Sequence, residues 1–307
     1  MPEEQPYRGN RWTKHAVELL GNLGWNLKGD TNMDIPCAIH TGRKVGHGID
    51  AFLTYFDPYQ NCEIGVITET KYYAWNNINK DFVQESVDNL IQAVECVPHS
   101  EEFTQKLNFN HAKVNTGLLM IWSHDKFEKG KFEDYLQGVK IPQKHNMSRI
   151  YVLNNYDILK LYSIIDVING LTNELNGKGK FDIYYPSYPE SDSLRGKNFV
   201  GLEYFNSKFI FGKMVRIKEF PNGGSMPINV TVVLYFDKLT TACLKYMYLA
   251  LRRFQLTDEE IWVYHYEDPI DYRGQTSEFE RQYGEGQKKQ IIFKPMNRFK
   301  DVPWRLA

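Results

Sequence analysis

Between Ile64 and Trp75 the chain reads IGVITETKYYAW, an apolar and aromatic run interrupted by Glu69 and Lys71. Charged side chains are unusual inside such a strand, because burying an uncompensated charge is costly. Side chains alternate along a strand, so Glu69 and Lys71 project from one face while Thr68 and Thr70 project from the other. A second run, Gly117–Trp122 (GLLMIW), is continuously apolar, as expected of a strand covered on both faces. Together the two runs call for a sheet with layers packed on either side.

The segments around them supply those layers. Trp12, Ala16, Leu19, Leu20 and Leu23 share one face of a helix expected over Arg11–Leu23, with Gly24 as its stop. Three strands are expected next, at Ile35–His40, Gly48–Phe56 and Glu63–Tyr73, joined by TGRKVG and DPYQN. A second helix is expected from Asp81 to Val97, with a capping box between Asp81 and Gln84 and a buried stripe at Val83, Val87, Leu90, Ile91 and Val94. The order is helix, three strands, helix, strand: an α/β core with a mixed sheet flanked by helices.

Residues 124–148 read as an irregular, lysine-rich connection, and Arg149–Leu153 as a further buried strand. A helix with Ile158, Leu161, Ile165 and Ile168 on one face follows, ending near Gly170. The turn-rich stretch from NGKGK to YYPSYPESDSLRGK places a domain boundary there, giving domains 1–175 and 176–307. The second is expected to be a smaller α+β module for substrate binding, dimerisation or partner docking. Its strands are Val200–Phe205, Lys208–Glu219, Ile228–Phe236, Ile261–Tyr266 and Gln290–Lys294, with a helix capped by Asp237. PNGG closes a hairpin between the second and third of these strands.

Composition narrows the function classes. The net charge of -1 provides no global field that would draw in nucleic acid, so a nucleic-acid enzyme would need local basic patches or a partner. Cys37, Cys62, Cys96 and Cys243 form no CxxC pair and read as reduced thiols. Cys96 and His99 have ligand-like spacing, but no second pair accompanies them, so no zinc site is expected. The first residues lack the order of a signal peptide, and no apolar run approaches the roughly 20 residues of a membrane helix. A soluble, cytoplasmic protein with no membrane association is expected.

The chemistry centres on GHGID, which places Asp50 near the start of one strand, and VITETK, which carries Glu69 and Lys71 on the next. If a short turn pairs those strands, Asp50 comes beside Glu69, and two carboxylates and an ammonium converge at one sheet edge. Hard oxygen ligands of that kind suit Mg²⁺, which can activate water and offset charge on a phosphate. A nearby lysine could orient or deprotonate the water, or stabilise the transition state, and the sequence leaves those roles open.

At these residues the chain resembles the PD-(D/E)XK, or restriction-endonuclease-like, nuclease superfamily, with GHGID and ETK matching its G-x-D and E-x-K elements over about residues 11–125. The opening helix and GHGID look most like the Mrr and Holliday-junction-resolvase branch, many of whose members act in restriction, repair or anti-phage defence. The resemblance implies that Asp50, Glu69 and the carbonyl of Thr70 bind Mg²⁺, with Mn²⁺ able to substitute, and that Lys71 is the catalytic lysine. Accessory candidates are Glu18 on the first helix, His47 beside Asp50, and Gln84 on the second helix. Glu18 is out of phase with the apolar stripe and reads as solvent-facing; for His47 a turn hydrogen bond, and for Gln84 a cap, are the structural alternatives.

Two lysine-rich stretches are candidate contact surfaces. Lys126, Lys129, Lys131, Lys140 and Lys144 are diluted by Glu128, Glu133 and Asp134 and read as a solvated face. Lys288, Lys289, Lys294, Arg298 and Lys300 are cleaner and could contact DNA or a partner. The leading expectation is a Mg²⁺-dependent DNA endonuclease of restriction or anti-phage defence, either as a homodimer or with a companion protein. The alternatives are a catalytically inactive nuclease-fold subunit that docks a partner protein or nucleic acid, and an RNase on the same core.

Overall fold

A computed structural model describes residues 4–40, 45–109, 113–141, 149–175, 179–186, 199–221, 223–258, 260–267, 272–284 and 290–303. The chain forms two compact units, 1–158 and 159–307.

In the first unit, α1 runs Glu4–Asn22, starting earlier than its apolar periodicity requires. Trp12, Ala16, Leu19, Leu20 and Leu23 are all buried, and Gly24, at φ 88°, takes the left-handed conformation that ends the helix. The strands are β1 (Asn26–Leu27), β2 (Met33–Ile35), β3 (His47–Ile49), β4 (Ala51–Asp57) and β5 (Cys62–Tyr73). Next come α2 (Lys80–Cys96), α3 (Glu101–Leu107), β6 (Val114–Ser123), α4 (Lys129–Gln137), β7 (Arg149–Leu153) and α5 (Asn155–Leu175), which carries the chain into the second unit.

Five strands form a mixed sheet in the order β1-β4-β5-β6-β7. β4 is antiparallel to β1 and β5, and β6 is parallel to β5 and β7. Because strand side chains alternate, each face takes its own helix. Trp12 of α1 lies against Tyr72 and Trp122, with ring centroids 6.5 and 5.8 Å away. The other face places Phe52, Ile67, Leu119 and Ile121 in one core with Val83, Val87, Leu90, Ile91 and Val94 of α2. Each such fully buried aliphatic side chain contributes roughly 1.5–3 kcal/mol. Gly117 permits the close approach of α2: a Cβ there would stand 2.8 Å from Leu90 Cγ.

Several local expectations are corrected. The strand expected at Ile35–His40 is only Met33–Ile35, and it pairs with β3 in a separate two-stranded sheet. Pro36 lacks the N–H needed to continue a ladder. The cap of α2 is Asn79, whose side chain accepts from the Phe82 N–H, so Asp81 and Gln84 form no capping box. The expected irregular connection contains α4, which buries Phe132.

In the second unit, a five-stranded sheet has the order β12-β11-β10-β9-β8. These strands are β8 (Lys180–Ile183), β9 (Phe209–Glu219), β10 (Ser225–Tyr235), β11 (Glu260–His265) and β12 (Gln290–Pro295). Helices α6 (Thr241–Arg253) and α7 (Tyr272–Phe279) share a core with them. β9 and β10 form the expected hairpin. Leu202–Tyr204 is a 3₁₀ turn rather than part of a strand. Thr240, not Asp237, caps α6; Asp237 pairs instead with Lys208 at 2.8 Å.

Candidate active site

The antiparallel register of β4 and β5 pairs Ala51 with Thr68 and Phe52 with Ile67. Carried one residue further, that register sets Asp50 opposite Glu69. Asp50 stands where the chain passes from β3 of the small sheet into β4 of the large one. Its carboxylate is fastened to β5: Oδ2 accepts from the Thr70 N–H at 2.6 Å and from the Thr70 hydroxyl at 2.8 Å. A residue's N–H and C=O leave a strand on the same side, so the Thr70 carbonyl faces the same edge as Asp50.

Behind Thr70 lies Thr13 of α1, its Oγ1 2.8 Å from Thr70 Oγ1 in a buried contact. Each hydroxyl has a single proton. The Thr70 proton goes to the Asp50 carboxylate, so Thr13 is the donor in the contact with Thr70, with the Gly9 carbonyl at 3.2 Å as the other acceptor within its reach. A chain of hydrogen bonds therefore runs from the first helix through the sheet to Asp50. Thr13 escaped the sequence reading because it stands among the apolar residues of α1; its place beside Trp12 and Ala16 on the buried face was the available signal.

Glu69 and Lys71 share the other face of β5, at the end of the α2-side core, and form an ion pair with side chains 18% and 25% exposed. Burial raises the Glu69 carboxyl above its ordinary value, the nearby Asp50 charge adds to this, and Lys71 opposes it. For Lys71, burial acts to lower the pKa, but the charge and hydrogen bond of Glu69, with Asp50 adding, outweigh it and leave the net shift upward. Lys71 is thus an ammonium in this arrangement. Two carboxylates beside one another, one resisting ionisation, form a donor set of hard oxygens that a divalent cation would relieve.

The accessory candidates lie elsewhere. Glu18 is exposed on α1 and 3.7 Å from His15. Gln84 exchanges hydrogen bonds with the backbone of Lys140, donating to its carbonyl at 3.0 Å and accepting from its N–H at 2.8 Å, and also donates to Asp88. His47 is buried at the start of β3, its ring centroid 5.3 Å from that of His40. Of the basic tail, Lys288 and Lys289 lie outside the described residues. Lys294 packs its ammonium 3.6 Å from the centre of the Trp262 ring, Arg298 lies 5.6 Å from that of Tyr266, and Lys300 is exposed. In the other basic stretch Lys126 pairs with Glu128 and Lys129 with Glu133, as a solvated face would.

A family model described as the GAPS4 protein PD-(D/E)XK nuclease domain matches residues 1–157, just over half of the chain. The chain belongs to this family. The GAPS4-type nuclease domain thus ends at the first turn of α5, and it contains Asp50, Thr70, Glu69 and Lys71 together with the helix that supports them. The match is to this family and does not name the Mrr branch. No curated protein matches the chain. Among the described residues no helix is long and apolar enough to cross a membrane.

Proposed function

We propose that the protein is a Mg²⁺-dependent DNA endonuclease of an anti-phage defence system, acting with a companion protein, and that Asp50, Glu69, Thr70 and Lys71 form its active site. The observation that carries this reading is the register of β4 and β5, which sets Asp50 opposite Glu69 with Lys71 on the same face as Glu69, inside a matched nuclease domain. Asp50, Glu69 and the carbonyl of Thr70 would hold the Mg²⁺. When bound, the ion would supply an activated water and offset charge developing on the phosphate.

The remaining work falls to the chain itself. Thr70 fixes the Asp50 carboxylate with two donors, so little reorganisation is needed as the site loads. Lys71, held as an ammonium, is suited to orient the attacking water or hold an anionic phosphate oxygen rather than to take up a proton. The near-neutral charge of the chain favours a partner that supplies further phosphate contacts.

The test is cleavage of plasmid and linear DNA in Mg²⁺, with RNA in parallel and EDTA as control. Wild type is expected to cut DNA, and Glu69→Gln and Lys71→Met to lose at least about 10²-fold, as when a transition-state donor is removed. Equal cleavage by folded Glu69→Gln would overturn the assignment. A wild type that binds DNA or a partner tightly but never cuts in Mg²⁺ would favour the docking-subunit alternative.

A further inference from the structure

Away from Asp50 and Glu69, the fold gathers four side chains that are scattered in sequence. Cys37 and His40 follow β2, His47 opens β3, and Cys96 is the last residue of α2. One ligand atom from each lies within 4.8 Å of all the others. His47 and Cys96 are buried, and Cys37 and His40 are half-buried.

Two of the separations match the edges of a coordination shell. Tetrahedral Zn²⁺ with Zn–S of about 2.3 Å and Zn–N of about 2.05 Å separates two sulfurs by about 3.8 Å, and a sulfur from a nitrogen by about 3.6 Å. Here Cys37 Sγ and Cys96 Sγ are 3.6 Å apart, and Cys37 Sγ and His40 Nδ1 are 3.5 Å apart. A disulfide would bring the two sulfurs to about 2.0 Å. The Ala38 N–H also donates to Cys96 Sγ at 3.0 Å, an arrangement that stabilises a thiolate ligand. Two sulfurs and two imidazole nitrogens select zinc over the hard cations that suit a carboxylate pair.

We propose that Cys37, His40, His47 and Cys96 bind a structural zinc ion that fastens the β2–β3 hairpin to the C-terminal end of α2. All four positions of a tetrahedron are filled by protein, which distinguishes a structural from a catalytic zinc. The site also bears on Asp50, which follows His47 by three positions at the end of β3. A hairpin pinned at His47 delivers Asp50 to the edge of β5 from a fixed starting point.

The test measures metal on the full-length chain purified under reducing conditions and does not depend on nuclease activity. Elemental analysis is expected to find about one zinc per chain in wild type and in Glu69→Gln, falling below about a tenth in the Cys37→Ser, His40→Ala double variant. Replacement by Co²⁺ is expected to give the visible bands of tetrahedral cobalt with a sulfur charge-transfer band. The cobalt spectrum of wild type decides the matter if the double variant fails to fold. The proposal is overturned if reduced wild type takes up no zinc, if zinc content is unchanged in the folded double variant, if cobalt gives no thiolate band, or if peptide mapping of native protein shows a Cys37–Cys96 disulfide.

Discussion

Replacing Thr70 with Val tests the hydrogen-bond chain beneath the candidate site, because the side-chain shape is kept and only the hydroxyl is lost. Two contacts disappear: the 2.8 Å bond to Asp50 Oδ2 and the 2.8 Å contact with Thr13. A hydrogen bond to a charged acceptor is worth about 1.5–3 kcal/mol, and the half-exposure of Asp50 argues for the lower end. The neutral contact adds about 1 kcal/mol, of which roughly half is recovered as Thr13 turns its proton to the Gly9 carbonyl, 3.2 Å away. Thr70→Val should therefore cost about 2 kcal/mol, and Thr13→Val about 1 kcal/mol. The double variant should cost less than the sum, because both substitutions remove the same contact. Urea unfolding reads this as a lowered midpoint at unchanged slope in the first unit's transition. DNA cleavage should fall less than in Glu69→Gln, since the Thr70 N–H still holds Asp50 and the carbonyl is untouched. A Thr70→Val cost under about 0.5 kcal/mol, or strict additivity with Thr13→Val, would refute the chain of donation from Thr13 through Thr70 to Asp50.

Three other perturbations have signs set by the structure. Glu69→Gln should melt no lower than wild type in EDTA at neutral pH. Burial and Asp50 raise the Glu69 pKa, so its ionisation costs stability above the unfolded carboxylate range, and any gain should vanish below about pH 4 in thermal melts. Asp125 has the opposite sign: N–H donors from Trp75 and Lys126 and the Ser123 hydroxyl hold its pKa down to about 2. Its contribution is present in full above the unfolded value of about 4 and lost as pH falls through 2, so Asp125→Asn should cost about 1 kcal/mol at pH 7, discounted for exposure, and progressively less as pH falls from 4 through 2. In the second unit, Arg216 grips buried Glu260 with two 2.8 Å bonds, while Lys218 reaches it only at 3.6 Å. Arg216→Ala should cost about 3 kcal/mol in denaturant unfolding by leaving a buried carboxylate without its main partner, and Lys218→Ala under about 0.5 kcal/mol.

What could be read locally and what could not divide along clear physical lines. The buried stripes of α1 and α2 follow from spacing within one helix, and the shared face of Glu69 and Lys71 follows from alternation within one strand. Errors arose where a neighbouring group competed for the same role. Asn79 took the cap expected of Asp81, and Thr240 the cap expected of Asp237, because the residue adjoining the first turn was better placed to accept from it. The helix Lys129–Gln137 was masked by lysines and acids along a short, mostly exposed element whose one buried residue is Phe132.

The amino-acid sequence by itself determined an α/β core with an acid and a lysine on one face of a central strand, because both helix and strand periods are local. Only the tertiary structure decided that Asp50 stands opposite Glu69, since that depends on how two strands pair. It also decided that Thr13 supports Thr70 and that Cys96 meets Cys37, contacts spanning 57 and 59 positions. Contacts at such separations exist only once the core has closed around them, so no local pattern of residues announces them.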